Sequence, residues 1–129
     1  MLSQPETCPH GSVLIVDDSE DSREVLRTAL QRLGVQTFEA TEARQGVRLA
    51  HQHHPQVIVL DLEAEAAQDE GVRLELDAQS RGDDGYLVVL GRSVSYEETL
   101  PKDCIVPKPY HYGPLVRTIE RLLSSSRSS

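Results

Sequence analysis

The stretch Val13-Leu14-Ile15-Val16-Asp17-Asp18 sets four apolar residues directly before two adjacent carboxylates. A second run of the same kind, Val57-Ile58-Val59-Leu60, ends in Asp61. In a parallel sheet covered on both faces, strands are continuous Val, Ile and Leu runs, and ligands bind outside their carboxyl ends. Both runs therefore read as buried parallel strands that bring Asp17, Asp18 and Asp61 to one edge. A third apolar segment, Ile105-Val106-Pro107, leads into Lys108-Pro109 and directs an ammonium toward that edge.

Outward from these strands the chain alternates strand-like runs with amphipathic helical patterns, the signature of an α/β fold with a parallel sheet. Residues 19–33 read as a helix with Val25, Leu26, Ala29, Leu30 and Leu33 on its buried stripe and Gly34 as its stop. Residues 35–39 alternate as a strand. Thr41 is placed to cap a helix running to about His53, with Ala43, Val47 and Ala50 inward, and Pro55 closes it. A shorter helix is expected over residues 71–79, with Val72, Leu74 and Leu76 available for burial, followed by a turn at 82–85 and a strand at 86–90. Pro114 marks the start of a last helix carrying Leu115, Val116, Ile119, Leu122 and Leu123. The expected organisation is a leader over residues 1–11, one domain over 12–124 and a disordered Ser-rich tail over 125–129.

A chain of 129 residues suits a single domain. Its 21 acidic against 13 basic residues give a net charge of -8, the wrong sign for direct nucleic-acid binding or an acidic membrane surface. No apolar stretch approaches the roughly 18 residues of a membrane span, and the first residues lack the pattern of a signal peptide, so the expected location is cytoplasmic. Cys8 and Cys104 form no disulfide framework.

Asp17-Asp18 after the first strand, Asp61 after the third and Lys108-Pro109 after the fifth resemble the motif set of response-regulator receiver domains of two-component signalling, over residues 12–124. The resemblance implies a flavodoxin-like doubly wound sheet of five parallel strands in the order 2-1-3-4-5. It implies a phosphoryl acceptor at Asp61, Mg²⁺ held by Asp17, Asp18, Asp61 and the backbone carbonyl of Glu63, and Lys108 pairing with Asp61 and then with the phosphoryl oxygens. Pro109 is expected to follow a cis bond. The residue types suit that chemistry in their own right. Phosphoryl transfer to a carboxylate needs a nucleophile, a hard cation that prefers oxygen ligands, and a fixed positive group. The bland alternative is that these acids only complement helix starts, with Asp18 as a cap and Lys108 neutralising Asp61.

Three features depart from the family. The end of the fourth strand, where Ser or Thr is usual, holds Gly91, with Ser93 two positions late; the aromatic switch position holds Ile105. Only twelve residues, 92–103, connect the fourth strand to the fifth, and a parallel crossover takes about a dozen or more. The helix there is expected to be stunted or replaced by a loop. After Asp61 the loop is acidic, with Glu63, Glu65, Asp69 and Glu70, and reads as a solvated surface. His51, His53 and His54 do not share one helix face and read as surface residues rather than a zinc site.

The expected function is that of a stand-alone phosphoacceptor in a phosphorelay, not an enzyme. Its expected partners are a sensor histidine kinase or phosphotransfer protein and a downstream effector protein. The alternatives are a degenerate receiver serving as a phosphorylation-independent interaction module and, through the Asp61-Leu62-Glu63 likeness to haloacid dehalogenase signatures, an aspartyl phosphatase.

Overall fold

The computed structural model describes residues 11–61, 70–82, 85–91, 104–106 and 110–127. In chain order these form β1 (Ser12–Val16), α1 (Glu20–Arg32), β2 (Gln36–Ala40), α2 (Ala43–His53), β3 (Val57–Asp61), α3 (Glu70–Gly82), β4 (Tyr86–Leu90), β5 (Ile105–Val106) and α4 (Tyr112–Arg127). The strands make one sheet in the order β2-β1-β3-β4-β5. Every pairing is parallel. The apolar runs imply the parallel sheet, and the order is the flavodoxin-like one that the resemblance implies.

The unbroken apolar strands exist because both faces of the sheet are covered. Val13, Ile15, Val57, Val59, Val88 and Leu90 pack beneath Leu26 and Leu30 of α1 and Leu115, Ile119, Leu122 and Leu123 of α4. The alternate residues Leu14, Val16, Ile58, Leu60, Leu87 and Val89 pack beneath Ala50 of α2 and Leu76 of α3. Each such side chain removed from water contributes about 1.5–3 kcal/mol, so the two layers fix the register of the central strands.

Helix α1 starts at an N-cap, Ser19, whose hydroxyl accepts from Ser22 N. It ends before Gly34, whose φ of 83° takes the chain back toward β2. Several expectations need correction. Val25 is 45% exposed and Leu74 62% exposed, so neither belongs to its helix's buried stripe. Residues 72, 74 and 76 cannot share a helix face at a spacing of two; Leu76 is buried and Val72 packs beside it, while Leu74 turns outward. Helix α2 is capped at Glu42 rather than Thr41, with no side-chain cap bond. Instead Gln45 reaches back to accept from Thr41 N at 3.2 Å. Helix α3 extends to Gly82, and α4 runs through the serines to Arg127 where a tail was expected to begin at 125. Residues 1–10 of the expected leader over 1–11, the connection over 92–103 and the last two residues lie outside the described residues. Among the described residues, no helix is long and apolar enough to cross a membrane.

Candidate functional site

Val16 pairs with Leu60 across β1 and β3, so Asp17 and Asp61 leave the sheet side by side at its carboxyl edge. In this strand order the edge between β1 and β3 is where the chain winds away in opposite directions, the place where such folds bind ligands. Asp17 is 3% and Asp61 7% exposed, whereas Asp18 is exposed. Burying a carboxylate away from water is costly unless it is paired or hydrogen-bonded, so two buried acids at one edge suit a site that takes a cation.

The turn that carries Asp17 and Asp18 is held from several sides. Asp17 N donates to Ala40 O on β2 at 3.1 Å. The Asp17 carbonyl accepts from the Arg23 guanidinium at 2.7 Å, and Asp17 Oδ1 accepts from Ser19 N at 2.9 Å. Ser19, not Asp18, caps α1, so the bland reading of Asp18 as a helix cap does not describe this turn. Arg23 also donates from Nε to Glu39 Oε1 at 3.1 Å, and Arg27 pairs with Glu39 Oε2 at 2.7 Å. Burial pushes the Glu39 carboxyl up, but the hydrogen bonds and charges of Arg27 and Arg23 outweigh this and hold it below the ordinary range.

Past β5 in the chain stands Tyr110, half-buried and packed edge-on to Tyr112, their ring centres 5.4 Å apart at 77°. Burial pushes the Tyr110 phenol well above its ordinary value, and the charges of Tyr112, Asp17 and Asp61 add to the shift. The segment after β5 therefore comes within electrostatic reach of both buried acids. Neither Tyr110 nor Arg23 stands out in the sequence: one follows a Lys-Pro pair and the other looks like a solvated helix charge. For Arg23 the available signal was Glu39, a half-buried acid on a strand flanked by helices.

Gly91 follows β4 with φ 116°, a backbone conformation that side-chain-bearing residues rarely adopt, and its N–H donates to Val106 O at 2.8 Å. Ile105 pairs with Val89 and packs into the layer beneath α2 and α3. Glu63, Lys108, Pro109 and Ser93 lie outside the described residues. The three histidines go separate ways: His51 Nε2 meets Glu75 at 2.8 Å, His53 stacks on Phe38, and His54 Nδ1 meets Gln79 at 3.2 Å.

Among the described residues no group of three or more His, Cys, Asp or Glu side chains converges as a metal cage. The donors present nevertheless suit Mg²⁺, which binds through one or two carboxylates and completes its shell with water and substrate phosphate. Asp17 and Asp61 provide hard oxygen atoms at a buried edge, and Asp18 adds one facing solvent.

A family model described as the response regulator receiver domain matches residues 13–90. A sensor histidine kinase, AtsR, of Burkholderia thailandensis is 31% identical over 123 residues, 86% of this chain and 19% of that protein. A probable transcriptional regulator, ycf27, of Galdieria sulphuraria is 32% identical over 68 residues, 53% of this chain and 27% of the relative. The chain thus spans about a fifth to a quarter of the length of the curated relatives it matches. Among solved structures, a CheY-like receiver domain protein from Methanospirillum hungatei JF-1 superposes with a TM-score of 0.73 at 20% identity, covering 93% of this chain and 99% of the other. A receiver domain protein from Clostridium thermocellum gives 0.74 at 14% identity, over 92% and 98% of the two chains. With the matched family model covering the three central strands and the acids that follow two of them, the chain belongs to the response regulator receiver domain family.

Proposed function

We propose that this receiver domain accepts a phosphoryl group on Asp61 from a phosphohistidine of a sensor histidine kinase or phosphotransfer protein. The observation that carries this reading is the pair of buried carboxylates, Asp17 and Asp61, side by side at the point where the fold's strand order reverses. In the proposed step an Asp61 carboxylate oxygen attacks phosphorus and the P–N bond to the donor imidazole breaks. The imidazole keeps the electron pair and takes up a proton, leaving an acyl phosphate on Asp61. Asp17, Asp18, Asp61 and the Glu63 carbonyl would hold Mg²⁺, which when bound screens the phosphate charge. Lys108 is assigned to the phosphoryl oxygens. Receiver domains are generally phosphoacceptors rather than enzymes, and we assign this chain to that role, as a cytoplasmic signal carrier acting on a downstream protein, with residues 12–124 as its folding unit.

A second reading, a receiver that works as an interaction module without phosphorylation, is favoured by Gly91, whose backbone conformation leaves no side chain at the usual hydroxyl position. Intact-mass measurement after incubation with a small phosphodonor and Mg²⁺ distinguishes the two. A phosphate-sized gain in the wild type that is absent from Asp61→Asn is the expected result. No gain with any phosphodonor would transfer the assignment to the interaction module.

A further inference from the structure

We propose that Arg23 is a positioning residue for metal binding, acting through the backbone peptide that joins Asp17 to Asp18. This rests on the reading of Asp17 and Asp18 as Mg²⁺ ligands. The carbonyl of Asp17 belongs to the peptide that joins residues 17 and 18, and it accepts from Arg23 at 2.7 Å. The next peptide, joining 18 to 19, donates its N–H to Asp17 Oδ1 at 2.9 Å. Both peptide planes flanking Asp18 are thus fixed while its side chain stays open to solvent. A rotation of either plane would change the direction in which the Asp18 carboxylate leaves the turn.

Arg23 suits this task because it is itself immobilised. Its side chain is only 13% exposed and its Nε is engaged by Glu39, which is in turn held by Arg27. The guanidinium therefore spans from an acid on β2 to the carbonyl of the turn, using two donors whose directions are set by one rigid plane. Lysine, with a single tetrahedral ammonium on a flexible stem, cannot reproduce both bonds. A purely structural ion pair would need only the contact with Glu39. The bond to the turn carbonyl is the extra contact, and it falls on the peptide that joins the two proposed ligands, Asp17 and Asp18.

The test uses the full chain with MgCl₂ as the probe and calorimetry as the readout, comparing wild type, Arg23→Lys, Arg23→Met, Glu39→Gln and Asp18→Asn. Losing a group that orients a metal ligand costs about 10–100-fold in affinity. Arg23→Lys and Arg23→Met are expected to weaken Mg²⁺ binding at least tenfold, and Glu39→Gln by a smaller factor. In the metal-free protein, amide hydrogen exchange at Asp18 and Ser19 is expected to accelerate in both Arg23 variants while the core strands stay protected. Glu39→Gln keeps the test open should the Arg23 variants fold poorly. Wild-type affinity in the Arg23 variants, with Asp18→Asn impaired, overturns the role of Arg23 alone. A wild-type chain that takes up no Mg²⁺ overturns the metal reading and this role together.

Discussion

Asp61 pairs with Leu90 across β3 and β4, so Gly91 leaves the sheet at the edge where Asp61 ends its strand, and does so with φ 116°. Receiver domains usually present a Ser or Thr hydroxyl from this position. In this chain the backbone conformation itself opposes one. Gly91→Thr is therefore expected to lower stability by about 1–3 kcal/mol, the cost of forcing a side-chain-bearing residue into a glycine conformation. Urea unfolding monitored by circular dichroism checks this. A Gly91→Thr chain as stable as wild type would show that the loop relaxes to an ordinary conformation, and that the missing hydroxyl is a matter of sequence alone.

What the sequence made legible was whatever depends on residues close together along the chain. Four-residue apolar runs ending in acids specify strands buried on both faces and their edge, and the alternation of Leu14 and Val16 against Val13 and Ile15 between two layers follows from strand geometry. What escaped depends on contacts between distant elements. Arg23 and Glu39 are sixteen positions apart, on a helix and a strand, and nothing local marks Arg23 as anything but a surface charge. Tyr110 lay hidden for the same reason, since its closeness to Asp17 and Asp61 exists only once β5 has docked at the sheet edge.

Helix α3 gives the clearest contrast between a reading of hydrophobicity and one of helix geometry. Leu76 is fully buried beneath the sheet, and Leu74, two positions earlier, is 62% exposed. Leu76→Ala is expected to cost about 2–5 kcal/mol through lost contacts and the cavity left behind. Leu74→Ala should change stability by less than about 0.5 kcal/mol. Unfolding midpoints of the two variants decide the matter, and equal losses would mean that α3 is rotated relative to the sheet.

Glu39 makes a pH-dependent contribution whose sign is set by its two arginines. Its carboxyl titrates below the ordinary glutamate value of 4.5 in the folded chain, so the charged form is the one that folding favours. The stabilisation is therefore present above the unfolded-state value and is lost as pH falls through the lower folded-state value. Because the group is partly exposed, its size is under about 1 kcal/mol. Glu39→Gln should be less stable than wild type at pH 7, with the gap closing below pH 4.5. A gap that stays constant into acid would show that the carboxylate charge contributes nothing and that only the shape of the side chain matters.

Tyr110 offers a way to observe the acidic edge directly. The chain has four tyrosines and no tryptophan, so its intrinsic emission is that of tyrosine. Carboxylates near a phenol quench it by drawing off its proton in the excited state, and Tyr110 lies within the influence of both Asp17 and Asp61. A divalent cation drawn to those carboxylates offsets their charge and should relieve the quenching. Tyrosine emission is therefore expected to rise as MgCl₂ is added to the wild type, to rise equally in Tyr86→Phe, and to stay nearly flat in Tyr110→Phe. Flat emission in the wild type while calorimetry records Mg²⁺ uptake would place the cation beyond the reach of Tyr110, and the side of the site nearest β5 would then have to be closed by other groups.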